Sequence, residues 1–222
     1  MRYPEDHKEK THQCIIEEAA RRFRQDGVGA TGGQPLMKSL GLTRGGFYAH
    51  FKSKDALVEA ALKQASEEAN ANAAAAFAND DALRAFISTC LSSVHREKPE
   101  VGCPLPTMAA ELGQKGKPST TTDALVESRL DEIAKPLPDE NADEQAVLLF
   151  SALVGALTPS RGVSDAALSD RVLGRPVDSR WSVTCLLLNR RHCARYSALR
   201  NQTSTRPLRL APSDPPLPPT GT

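Results

Sequence analysis

The sequence predicts an all-α protein, and three observations predict it. Apolar residues recur at helical spacing along most of the chain, and no stretch alternates in the strand pattern. Hydroxyl and acidic capping residues stand before the periodic segments, while Gly and Pro stand after them. Finally, residues 41–54 compress a glycine turn, a threonine cap and a very short helix into one stretch.

The first helix carries Ile15, Ile16, Ala19, Ala20 and Phe23 on one face. Thr31-Gly32-Gly33-Gln34 has the capping-box spacing and is expected to open the second helix, with Pro35 tolerated in its first turn. Gly41 follows the apolar run Leu36, Met37, Leu40, where a glycine lets the chain turn at little steric cost. Leu42 then drops inward, and Thr43 caps about two turns of a third helix, residues 44–50. Gly45 and Gly46 each cost that helix about 0.5–1 kcal/mol against alanine. Such a cost fits a place where a phosphate chain or base edge comes close to the backbone. Phe47 and Phe51 pack inward, leaving Thr43, Arg44, Tyr48, His50 and Lys54 outside as donors. Two short helices joined this way form a helix-turn-helix over residues 32–51, a shape that reads the DNA major groove.

Ser53 caps a fourth helix reaching about residue 78, with Asp55 in its first turn, where the helix dipole favours an anion. Asp80-Asp81 is expected to open a fifth, with Leu83, Phe86, Ile87, Cys90 and Leu91 inward and Pro99 as its break. Pro104 and Pro106 precede a short helix containing Met108, Ala109 and Leu112. Thr122-Asp123 is expected to cap the next, which carries Val126, Leu130 and Ile133 and stops at Pro136. Residues 142–157 are apolar around the whole circumference, as in a helix buried on two sides. One side faces the protein's own core, and the other needs a partner.

Residues 12–62 closely resemble the N-terminal domain of TetR/AcrR-type transcriptional regulators. The matches run from the first helix ending at Phe23, through Gly27 and Ala30-Thr31, to Leu42-Thr43-Arg44-Gly45-Gly46-Phe47-Tyr48-Ala49-His50-Phe51 and Ser53-Lys54-Asp55-Ala56-Leu57. Gly102-Cys103-Pro104 and the run 149–157 resemble one subset of the same regulators. The resemblance implies a DNA-binding domain at 8–62 and a helical regulatory and dimerisation domain at 63–173. It implies that Thr31, Thr43, Tyr48 and Lys54 touch phosphates and that Arg44 meets a base edge or phosphate. Gly45 and His50 complete the expected DNA-binding set. It further implies a homodimer on a double-stranded, palindromic operator, most simply a repressor released by a small-molecule effector. His95, Cys103 and Met108 are the candidate lining of the effector pocket. Cys103, between Gly102 and Pro104, is the alternative sensor, responding to oxidants or electrophiles.

Charge and composition agree with that reading. Residues 1–60 carry ten Lys/Arg against eight Asp/Glu, residues 61–173 ten against seventeen, and residues 174–222 eight against two. A weakly basic head on an acidic body suits a DNA binder that keeps its body off the phosphates. No apolar run is long enough to span a membrane, and no secretory signal is present, so a soluble, cytoplasmic protein is expected. Five cysteines without CxxC spacing indicate neither a disulfide framework nor a metal site, and no cofactor is implied. Enzyme function is not expected: no GxSxG, HExxH or P-loop pattern occurs.

Beyond residue 173 the resemblance stops. The segment 174–222 contains no Lys, no Glu and seven of the sixteen prolines, and is expected to be disordered or polyproline-like. Two origins fit the break in composition. One is a segment outside its ancestral reading frame, which shortens the last helix and weakens dimerisation. The other is a natural Arg-rich tail with non-specific phosphate affinity.

Overall fold

The computed structural model describes residues 5–137 and 140–174, and those residues form helices and turns only. The expectations for the tail beyond residue 174 lie outside the described residues.

One helix organises the rest. α4 (Lys54–Phe77) is 24 residues long, about 36 Å at 1.5 Å per residue. Its N-terminal half belongs to one core and its C-terminal half to another. In the first core, α1 (Glu5–Asp26), α2 (Gly33–Ser39) and α3 (Arg44–Tyr48) pack Ile15, Phe23, Leu36, Phe47 and Phe51 against Leu57 and Leu62 of α4. In the second, α5 (Ala82–Cys90), α8 (Thr120–Ala134) and α9 (Ala142–Gly162) gather Phe86, Ile133, Leu149 and Leu153 around Ala73 and Ala76. α10 (Ala166–Val172) lies along α9, held by the Ser169 hydroxyl donating to the Ser160 carbonyl at 2.6 Å.

The connectors carry the departures from expectation. α5 ends at Cys90, well before Pro99, because Ser92 accepts the His95 N–H and starts a new turn, α6 (Ser93–Glu97). A 3₁₀ turn (Pro99–Val101) follows, then a π-helical turn (Leu105–Ala109) that runs into α7 (Ala110–Gln114). In the π turn the Pro104 carbonyl accepts from both Met108 N–H (2.8 Å) and Ala109 N–H (3.2 Å). The extra residue rotates Met108 away from the body and into the first core, where it is wholly buried. α8 begins at Thr120, with Ser119 and not Thr122 as its cap. The Ser119 hydroxyl also donates to Glu59 of α4. α9 is long and apolar as expected, and continues through Pro159 to Gly162. Its outer face leaves Val147 and Leu148 49% and 57% exposed.

Candidate DNA-binding head and body cavity

The head is built by local chemistry. Gly41 turns the chain with φ +69, and the Leu42 N–H donates back to the Met37 carbonyl at 2.8 Å. Thr43 has the extended backbone of a cap, and its hydroxyl accepts the Gly46 N–H at 3.3 Å. α3 lasts only from Arg44 to Tyr48, shorter than expected, because Ala49 and His50 already form its closing turn. Phe47 and Phe51 anchor it, with ring centroids 5.7 Å apart. Tyr48 is left 68% exposed. A Cβ built on Gly45 or Gly46 meets nothing closer than 3.7 Å. Packing inside the protein therefore does not require glycine at either position.

The expected contact residues divide. Thr31, Tyr48 and Lys54 line one cleft of about 390 Å³ with Gly33 and Gln34 at the start of α2. Thr43 stands exposed beside it at the start of α3. Gly45 is exposed in the middle of α3, and the side chain of Arg44 lies outside what the structure describes. Thr31 does not cap α2. Gly32 occupies the cap position, while the Thr31 hydroxyl turns inward and donates to the Gly27 carbonyl at 2.8 Å. The Lys54 ammonium donates to the carbonyls of Val28 (2.7 Å) and Thr31 (3.0 Å), pinning the loop before α2 to the start of α4. His50 is not the free outer donor expected. It is half-buried, its ring 5.8 Å from His12, and its buried Nδ1 has no hydrogen-bond partner. Burial, then the charges of His12 and Lys8, pushes its pKa down.

A second hollow lies in the body, about 320 Å³, walled by α4, α5, α6, α8, α9 and the turn 101–106. His95 and Cys103 line it as expected; Met108 does not, since the π turn sends it to the head. The His95 ring bridges two backbones: Nδ1 lies 2.9 Å from the Cys90 carbonyl, and Nε2 accepts the Cys103 N–H at 3.1 Å. Those partners fix the neutral tautomer protonated on Nδ1. Desolvation, only partly offset by the Cys90 carbonyl, lowers its pKa. Burial pushes the Cys90 thiol up to about 12 and the Cys103 thiol up as well.

Two side chains, Arg24 and Glu111, connect head and body in ways that the sequence did not reveal. Arg24 of α1, 3% exposed, donates to Glu68 of α4 at 2.6 Å and to the Gly102 carbonyl beside the cavity at 3.2 Å. Glu111 of α7 accepts the Val28 N–H at 2.6 Å. No local signal marks a buried arginine whose partners lie 44 and 78 residues away.

Two negative observations bound the chemistry. Gly27, Gly29 and Gly32 have the GxGxxG spacing of a dinucleotide fingerprint, but they follow a helix, and the described residues contain no strand to set up that site. Among the described residues no helix is long and apolar enough to cross a membrane, and no cluster of His, Cys, Asp and Glu could hold a metal ion.

Residues 15–61 match the family model of bacterial regulatory proteins of the tetR family. No curated protein matches the sequence significantly. Among solved structures, a TetR transcriptional regulator from Chloroflexus aurantiacus is similar at 24% identity and TM-score 0.64, over 76% of this chain and 92% of that one. A TetR-family regulator from Agrobacterium tumefaciens is similar at 20% identity and TM-score 0.64, over 79% of this chain and 100% of that one. The multidrug binding protein EbrR, solved with imidazole, is similar at 19% and TM-score 0.52, over 76% and 97%. At these identities the structures establish the fold, and the family model identifies the head. Residues 15–61 thus carry a head that matches the tetR family of bacterial regulatory proteins, on an all-helical fold that TetR-family regulators share.

Proposed function

We propose that the protein is a cytoplasmic repressor, a homodimer that binds a palindromic operator and leaves it when a small molecule enters the body cavity. The observation that carries the DNA half is α3 itself: a capped helix of five residues, held by two buried phenylalanines, with Tyr48 exposed and glycines where no internal packing demands them. Glycines at 45 and 46 let the backbone approach the groove edge. Tyr48, Thr43 and Arg44 supply the contacts, while Thr31 and Lys54 shape the cleft beside them. His50 acts by packing on the first helix, as its ring contact with His12 suggests.

We assign DNA reading to 8–62 and sensing and dimerising to 63–173; the two cores support that division, with Met108 and Leu112 reaching back into the first. The uncovered face of α9 supports a two-fold mate, which sets two heads about one helical turn apart. The effector works by population shift, favouring a spread arrangement of the heads by its greater affinity for it. That a solved neighbour, EbrR, is a multidrug binding protein fits a ligand cavity in such a body. The thiol-sensing alternative is weaker, because two buried thiols held protonated at neutral pH are poor nucleophiles.

A gel shift on the DNA flanking the protein's own gene tests the reading. Wild-type protein retards it at physiological salt. Tyr48→Ala, which removes an exposed side chain and leaves the core intact, lowers affinity at least about ten-fold, a loss of about 1.4 kcal/mol. Unchanged affinity removes Tyr48 from the contact set, and no retardation by wild-type protein sinks the operator reading.

A further inference from the structure

The effector cavity, granted the reading above, is also specific about chemical class. Its wall is mostly carbon: Ala69, Ala73, Phe86, Phe150, Leu153 and Leu157. The polar groups among them are already committed. Both nitrogens of His95 are engaged by backbone, with the proton on Nδ1. The terminal nitrogens of Arg129 donate to Glu132 (2.5 Å), Asn70 (2.9 Å) and the Ala69 carbonyl, while its carbon end lies 5.4 Å from the centre of the Phe86 ring. Its charge is thus neutralised within the protein. The Thr89 hydroxyl donates to the Ala85 carbonyl, and the Ser92 hydroxyl accepts the His95 N–H. Cys90 and Cys103 add neutral thiols, weak as hydrogen-bond partners. Uncommitted polar groups, Asn72 and Lys98, are exposed residues at the rim.

We infer that the ligand of this cavity is a small, neutral, apolar molecule and not an anion, sugar or nucleotide. A hydroxylated or charged group entering it would lose its water and find inside only the Ser92 O–H and two weak thiol donors, with no free counter-charge. An apolar molecule loses only water that the carbon wall holds poorly. The volume, about 320 Å³, lies at the low end of the roughly 300–1,000 Å³ typical of ligand sites, so the guest has at most two or three fused or linked rings. Affinity comes from shape and burial, and selection is by charge and size.

Two fluorescent dyes that share a ring skeleton test this on the full chain without DNA. N-phenyl-1-naphthylamine is neutral; 8-anilinonaphthalene-1-sulfonate adds one sulfonate. The neutral dye is expected to bind saturably, one per chain, at least about ten-fold tighter than the sulfonate, with the difference kept at high salt. Val154→Trp, which fills the hollow from the half-buried side of α9, is expected to abolish the neutral dye's signal while circular dichroism stays as in wild type. Equal or tighter binding of the sulfonate overturns the inference. So does binding of the neutral dye that survives in folded Val154→Trp, and so does no saturable binding at all. If Val154→Trp fails to fold, the comparison of the two dyes on wild-type protein decides alone. A sulfonate preference cancelled by Lys98→Met would assign the site to amphipathic anions anchored at the rim. Because the titrations omit DNA, their failure leaves operator binding standing. Failure of the gel shift likewise leaves the dye result standing.

Discussion

Glu18 shows how much a single side chain organises in the head. It accepts from Arg21 at 2.9 Å and Arg22 at 2.6 Å on its own helix, and it receives the Ser39 hydroxyl of α2 at 3.4 Å. The Arg21 hydrogen bond is the largest influence and, with Arg22, outweighs desolvation to hold the carboxyl down to about 2. A carboxyl depressed on folding stabilises above its unfolded pKa, near 4.5, and that contribution is lost as pH falls from there toward about 2. Wild-type protein should therefore lose its stability advantage over Glu18→Gln across that window. Urea midpoints at pH 6 and pH 3 measure it: the gap between the two proteins narrows in acid. A gap that is constant or widens would show the ion pairs contribute nothing to folding. His95 adds to the same trend at milder pH. Its lowered pKa means the folded protein resists protonation, so stability falls as pH drops below about 6.5.

At the scale of elements, the junction of α1, α4 and the turn after α6 is where a cavity event can reach the head. Gly102 gives its carbonyl to Arg24, while the neighbouring Cys103 gives its N–H to His95 in the cavity wall. The fit is close: a Cβ on Gly102 would stand 2.7 Å from the His95 ring. Arg24→Met retains an apolar stem in the same channel and removes the guanidinium, taking the donor from the buried Gly102 carbonyl and the cation from Glu68 at a cost of about 1–3 kcal/mol. The expected outcome is a lowered melting temperature together with operator binding that the neutral dye no longer relieves. Full relief of the gel shift by the dye in folded Arg24→Met would exclude this junction as the link. The sequence was most readable where structure is local. Thr43, Ser53, Phe47 and Phe51 do what their spacing implies, because a cap and an i, i+4 pair need only their neighbours. It misled where a distant group competes. Thr31 has a capping pattern, yet its hydroxyl is taken by Gly27; Thr122 lost the cap of α8 to Ser119, which Glu59 holds. Met108 was misplaced because a π turn adds a residue that no periodicity announces.

At the scale of the molecule, the long α4 makes the two cores share one rod, and α9 leaves apolar side chains in water on its far side. Fully burying a Val or Leu side chain contributes about 1.5–3 kcal/mol, so covering Val147 and Leu148 twice over at a two-fold axis supplies a meaningful part of a dimer's stability. Leu148→Asp places a charge on that face and leaves the inner face of α9 intact. Light scattering after size exclusion is expected to move from dimer to monomer, with operator affinity falling alongside. A wild-type monomer at micromolar concentration would rule out the dimer, and a dimeric Leu148→Asp would place the mate elsewhere. The all-round apolar character of α9 made this surface visible in the sequence. Which side faces outward was not, since that depends on how α5 and α8 pack against it.

The open face of α9 has one further consequence, and it concerns quantity. In the proposed dimer this surface is completed by an identical chain and obeys mass action, so the fraction of paired protein rises with the amount synthesised. Well below the dissociation constants of both dimer and operator, halving the copy number would lower operator occupancy by more than half, because fewer chains also find mates. In that dimer abundance would be an input alongside any chemical one, and two apolar side chains left in water on one helix would help set the concentration range over which it acts.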